Sequence, residues 1–226
     1  MRLLLTLLKW DILLLFRYNV MTIALALGSI YFLVILLIDI PDLPVIFMIY
    51  SDPAMLGFIF IGVMVLFEKQ SETLTVMKIT PVEPWQYLMS KLVALTLPAL
   101  VIGMAMGIAA QAGNLLLLAT AIIFASSLML LLGFAGVVRV KTFNQYILII
   151  PLFLAPLSLP LISFFGIYET PLMWLIPTHA LLVIFRASIM PVNPMELAIA
   201  LPVALLVNLA AWRFALTSYR RYIIEE

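Results

Sequence analysis

The 226-residue chain has no cysteine and a single histidine, His179, and only 10% of its residues are charged. Without cysteine there is no disulfide, thiolate metal site, Fe–S cluster or cysteine nucleophile. One imidazole argues against a multi-histidine metal site. Twelve basic residues face eleven acidic ones, a formal net charge of +1. No basic stripe accompanies that balance, which argues against nucleic acid as a partner. No G-x-x-x-x-G-K-S/T phosphate loop occurs, so ATP cannot be bound by that route. What is plentiful is apolar: 66% of the residues are hydrophobic, against roughly 45–50% in a soluble domain. Disordered chains are poor in such residues. The sequence therefore reads as a polytopic, all-α membrane protein.

A spanning helix needs about 20 apolar residues. Six segments are predicted to span, at 20–40, 53–67, 92–110, 115–138, 143–166 and 195–217. The charge-free run 92–138 is too long for one helix, and Gln111-Ala112-Gly113-Asn114 divides it with a polar, glycine-bearing turn. The short run 53–67 reaches the interface only if its ends snorkel. A seventh apolar run, 170–185, is short and carries Pro171 and Pro177. Lysine and arginine concentrate on the cytoplasmic side of membranes. With six spans and both termini cytoplasmic, Arg2, Lys9, Arg17, Lys69, Lys78, Lys91, Arg139, Lys141, Arg213, Arg220 and Arg221 lie inside and only Arg186 outside. A seventh span would leave nine inside and three outside. Residues 167–193 are therefore expected to form re-entrant or interfacial helices on the outer side.

Residues 1–19 are expected to lie in the cytoplasmic interface as an amphipathic helix. Arg2, Thr6, Lys9 and Arg17 fall on one side, and the rest is mostly leucine, Phe16 and Trp10. A signal peptide is the alternative, weakened by Lys9 and Asp11 within the apolar region and by the lack of a small-residue cleavage site.

The longest polar stretch, residues 68–91, is predicted to lie in the cytoplasm between spans two and three. It holds Glu68, Glu72 and Glu83 against Lys69, Lys78 and Lys91. Thr80-Pro81-Val82-Glu83 reads as a capping box that starts a helix at Pro81. Before it, residues 71–79 can form a short helix with Leu74, Val76, Met77 and Ile79 as buried contacts. The stretch fits a docking element or an ordinary solvated loop, although connections in bundles are usually 2–8 residues.

The stretch resembles the cytoplasmic loop of ABC type-2 transporter permeases, the membrane subunits of ATP-binding-cassette exporters. Glu68, Thr73-Leu74, Thr80-Pro81 and Ser90-Lys91 follow that family's order and spacing. Gln70 and Glu72 depart from it, standing where an acidic residue and a glycine are frequent. Pro177-Thr178 and Phe185-Arg186-Ala187 are similar to its outer segment. The resemblance implies that the first helix of the loop is a coupling helix, with Glu68, Glu72, Thr73, Leu74, Met77, Thr80, Pro81 and Lys91 as the ATPase-coupling set. It implies a separate ATPase subunit, which would bind ATP and Mg, with no cofactor in this chain. It also implies a second permease copy or paralogue. Hydrophobic or amphipathic cargo (drug, lipid or peptide) is the family-level expectation. Fluoroquinolone-export and haem-export types of permease both fit the length. From another class, a substrate-capturing membrane subunit of a vitamin importer also has about six helices.

Pro151, Pro156 and Pro160 disrupt the backbone ladder of the fifth span, as a kinked packing helix or as a bendable lining of the pathway. Gly103-x-x-x-Gly107 and Gly133-x-x-Gly136 permit close helix approach, more simply within the chain than between chains. Thr96, Ser126, Ser127 and Asn208 are expected to satisfy themselves by hydrogen bonds between helices or to backbone. No carboxylate lies mid-span, since Asp39, Asp52 and Glu68 sit at span ends. That argues against a proton relay and against a paired-carboxylate enzyme. His179 is expected to hydrogen-bond at the interface, with ligand contact as the alternative. Arg186 is expected to pair with Glu169 or Glu196.

Overall fold

A computed structural model describes residues 2–51, 57–74 and 79–224, and among these residues the chain is helical with no strand. The helices are α1 (Arg2–Arg17), α2 (Val20–Leu37), α3 (Asp42–Ser51), α4 (Gly57–Gln70), α5 (Pro84–Ala109), α6 (Leu115–Val137), α7 (Phe143–Ser158), α8 (Pro160–Phe164), α9 (Pro177–Ile189) and α10 (Pro194–Tyr219). A 3-10 turn occupies Pro171–Leu175, and Arg220–Ile224 follows α10 as a π-helical turn. Five segments are long and apolar enough to cross a membrane: α2, α5, α6, α7 together with α8, and α10 with its π turn.

Helix α6 lies at the centre. Its apolar segment is 56% buried, whereas α2 and the α7–α8 and α10 segments are 17–22% buried and turn leucines, isoleucines and phenylalanines outward. Between helices in lipid, hydrophobicity supplies no driving force, so close packing and hydrogen bonds hold the bundle. Small residues provide the approach. A Cβ at Gly133 would lie 2.9 Å from the Phe58 carbonyl oxygen of α4. One at Gly62 would collide with the ring of Tyr146, whose hydroxyl donates to that same carbonyl at 2.5 Å. Gly103 and Gly107 face Ile122 and Leu118 of α6, so that pair packs within the chain. Across the core, Ser127 pairs with Asn208. Thr96 and Ser126, expected to find partners, bury hydroxyls with none among the described residues.

Several boundaries differ from the sequence reading. Helix α5 begins at Pro84 and not at Pro81. The winning cap is one box further along: Glu83 is the N-cap, Pro84 takes the first turn, and the Glu83 N–H donates to Gln86 Oε1 at 3.2 Å. Helix α3 has no counterpart in the reading, because Asp39, Asp42 and Asp52 hid the apolar stretch 43–51 between them. The turn between α5 and α6 falls where expected. Asn114 caps α6 by accepting from the Leu117 N–H at 3.0 Å, while Gln111, not Gly113, takes positive φ (54°). Pro151 and Pro156 remain inside α7, and the helix breaks only before Pro160. In the polar stretch, Thr73 and Leu74 are helical. Val76, Met77 and Lys78 lie outside the described residues, as does the start of the run 53–67.

Candidate functional site

The two ends of the bundle use charge in opposite ways. Helices α5 and α6 are antiparallel neighbours, so the start of α5 and the end of α6 share one end. Lys69, at the end of α4, donates from Nζ to the carbonyls of Val137 (3.2 Å), Val138 (2.8 Å) and Val140 (2.8 Å). The last carbonyls of a helix have no intrahelical partner and carry the negative end of its dipole. A lysine there serves both.

One turn of packing deeper, Lys91 of α5 is almost fully buried, with Asp11 of α1 and Glu68 of α4. Lys91 Nζ lies 3.0 Å from Asp11 Oδ1 and 2.5 Å from Glu68 Oε1. The remaining oxygens are also served: Ser90 Oγ donates to Asp11 Oδ2 at 2.6 Å, and the Tyr87 hydroxyl to Glu68 Oε2 at 2.5 Å. The Lys91 ammonium also sits 4.6 Å from the centre of the Tyr87 ring, and Tyr87 packs against Tyr219 and Phe134. Buried charges are tolerated when paired and fully hydrogen-bonded, and each carboxylate oxygen here has a donor. The cluster fastens α1, α4 and α5 to one another.

This arrangement redistributes the coupling set. Glu68 and Lys91 point inward, and Leu74 is buried. Glu72, Thr80 and Pro81 are exposed and Thr73 is half-buried; the Ser71 and Thr73 hydroxyls are 2.9 Å apart. Glu72 holds φ at 56°, a left-handed conformation that costs a residue with a Cβ and suits glycine. Asp11 was missed as a site residue: nothing local marks it, and its partner is 80 positions away.

At the other end, α8, the 3-10 turn, α9 and the start of α10 enclose an open cleft of about 490 Å³. Its walls carry Glu169, Glu196, Arg186, His179 and Trp174. Arg186 shares the cleft with both carboxylates, but the expected ion pair does not form within 4.0 Å. The His179 ring meets Trp174 edge-on with centroids 4.8 Å apart. Its Nδ1 is buried without a hydrogen-bond partner among the described residues. Burial pulls the His179 pKa below the usual value, and the nearby Glu196 charge opposes that shift. No three of the described His, Asp and Glu residues are arranged to hold a metal ion.

A helical bundle with several membrane-length apolar segments and outward-facing leucines is a multi-pass membrane protein. Residues 2–226 match the fluoroquinolones export permease protein family, and the chain belongs to that family, within the ABC type-2 permeases. It is 29% identical over 187 residues to the fluoroquinolones export permease proteins of two Mycobacterium tuberculosis strains, CDC 1551/Oshkosh and ATCC 25618/H37Rv. Each alignment covers 79% of this chain and 78% of the relative.

Proposed function

We propose that the chain is the membrane half of an ATP-driven exporter that moves amphipathic aromatic drugs, fluoroquinolones among them. Six spans are completed by α3 and α4 crossing together. Both termini and the 68–91 segment face the cytoplasm, and the 167–193 segment faces outward. A separate ATPase subunit docks on Glu72, Thr73, Thr80 and Pro81, with Met77 in the same segment, and a second permease completes the pathway. Prolines 151, 156 and 160 give the α7–α8 segment the bend that pathway lining requires.

The observation that carries this reading is the Asp11–Lys91–Glu68 cluster. A loop that merely joined two spans would need no buried ionic floor. A segment that receives force must pass it to several helices at once, and the cluster joins α1, α4 and α5, the helices that precede, flank and follow that segment in the chain. The test is reconstitution with an ATP-binding-cassette ATPase subunit from the same source in inside-out vesicles. ATP-dependent fluoroquinolone accumulation is expected. Equal accumulation without the ATPase or without ATP overturns the reading.

A further inference from the structure

We infer that the cleft between α8, α9 and the start of α10 is a binding site for a zwitterionic, flat aromatic molecule, with its carboxylate on Arg186, its ammonium between Glu169 and Glu196, and its ring against Trp174. This rests on the exporter reading and deepens it by naming the charge form of the cargo as it meets this end of the bundle.

The volume comes first. About 490 Å³ lies within the roughly 300–1,000 Å³ of small-molecule sites. The charges come next. A guanidinium and two carboxylates line one cleft without closing on one another. At the other end of the same protein a similar set, one cation and two carboxylates, is fully paired. Opposite charges held apart across a gap leave each free for a charge-assisted hydrogen bond to a guest that carries both signs. A cation alone would leave Arg186 unmatched, and an anion alone would face two carboxylates.

The aromatic wall supplies the third element. Trp174 and Phe164 line the cleft, and Trp174 is braced by the His179 ring. Indole combines a large apolar face with affinity for cations. The buried, unpartnered Nδ1 of His179 adds a polar group at the same wall. A bare metal ion is the poorer guest, because no three described His, Asp or Glu residues converge on one point.

The test is isothermal titration of the full-length chain in lipid nanodiscs, without ATPase or nucleotide. The probes are a fluoroquinolone bearing a free piperazinyl amine, its methyl ester and its N-acetyl derivative. The parent zwitterion is expected to bind about tenfold tighter than either blocked form, the scale of one charge-assisted hydrogen bond. Arg186→Gln abolishes the difference between acid and ester while keeping that between amine and acetamide. The double variant Glu169→Gln, Glu196→Gln does the reverse. Equal affinity of wild type for all three probes, no binding at all, or unchanged discrimination in both variants overturns the inference. The probe comparison on wild type needs no variant to fold. ATP-driven transport without probe discrimination sinks the cleft alone; probe discrimination without ATP-driven transport sinks the exporter reading alone.

Discussion

The two ends of the bundle hold nearly the same charges and treat them differently. At one end Asp11, Glu68 and Lys91 are buried, mutually paired and completed by Ser90 and Tyr87. At the other Glu169, Glu196 and Arg186 share a cleft unpaired. A paired cluster of this kind is a fastening, since every carboxylate oxygen in it already has a donor within the protein. An unsaturated one is available to a guest. Residue type alone does not separate these roles; the number of partners each atom already has does.

Removing the cation at each end sharpens the contrast most. Lys91→Met strands two buried carboxylates and is expected to cost about 3–5 kcal/mol, read as a large fall in the thermal midpoint of detergent-solubilised protein. Arg186→Met, at an exposed site, is expected to stay within about 0.5 kcal/mol. Equal effects at the two ends would erase the distinction between fastening and open site. Lys69→Met comes next. Three carbonyls at the end of α6 lose a charged donor, with an expected loss of about 2 kcal/mol in the same measurement. Glu72→Gly works the other way. It relieves a left-handed φ of 56° and is expected to raise stability by about 0.5–1 kcal/mol; a fall would show that the Glu72 side chain supports the fold.

The smallest effect is a pH dependence at the open end. His179 binds protons less readily folded than unfolded, because burial disfavours the imidazolium. Between the lower folded pKa and the ordinary value near 6.5 the unfolded chain binds more protons, so stability rises with pH there. The contribution is complete above about pH 6.5 and is lost as pH falls through the folded value. Comparing thermal midpoints of wild type and His179→Gln at pH 7.5 and 5.5 checks this: the variant should lose less on acidification. An equal loss in both would count against a buried neutral imidazole.

The bundle was legible because membrane-length apolar runs carry their own signal, and the turn at 111–114 was marked by its polar residues. The start of α5 was misread because two overlapping boxes, Thr80–Glu83 and Glu83–Gln86, both carry proline at the first helical position. Pro84 selects the second, because a proline pushes the residue before it out of the helical region, and Glu83 is extended with ψ at 146°. Helix α3 was hidden by a search for charge-free runs, which its flanking aspartates defeat. Glu68 and Lys91 were singled out from their order in the polar stretch, yet their partner Asp11 was invisible. On α1 it looked like an interruption of an apolar helix, and its meaning lies in a contact 80 residues away. Arg186, Glu169 and Glu196 were noticed as a charge set, but their failure to pair is a property of three-dimensional spacing.

The absence of native cysteine makes the sidedness of the two ends directly measurable. Thr80→Cys and Glu169→Cys, both at exposed positions, would be treated in intact cells with a maleimide that cannot cross the membrane. A permease driven by a cytoplasmic ATPase requires Glu169→Cys to label in intact cells and Thr80→Cys to label only after permeabilisation. Labelling of Thr80→Cys from outside intact cells would place the polar segment beyond the reach of ATP and contradict the proposed coupling.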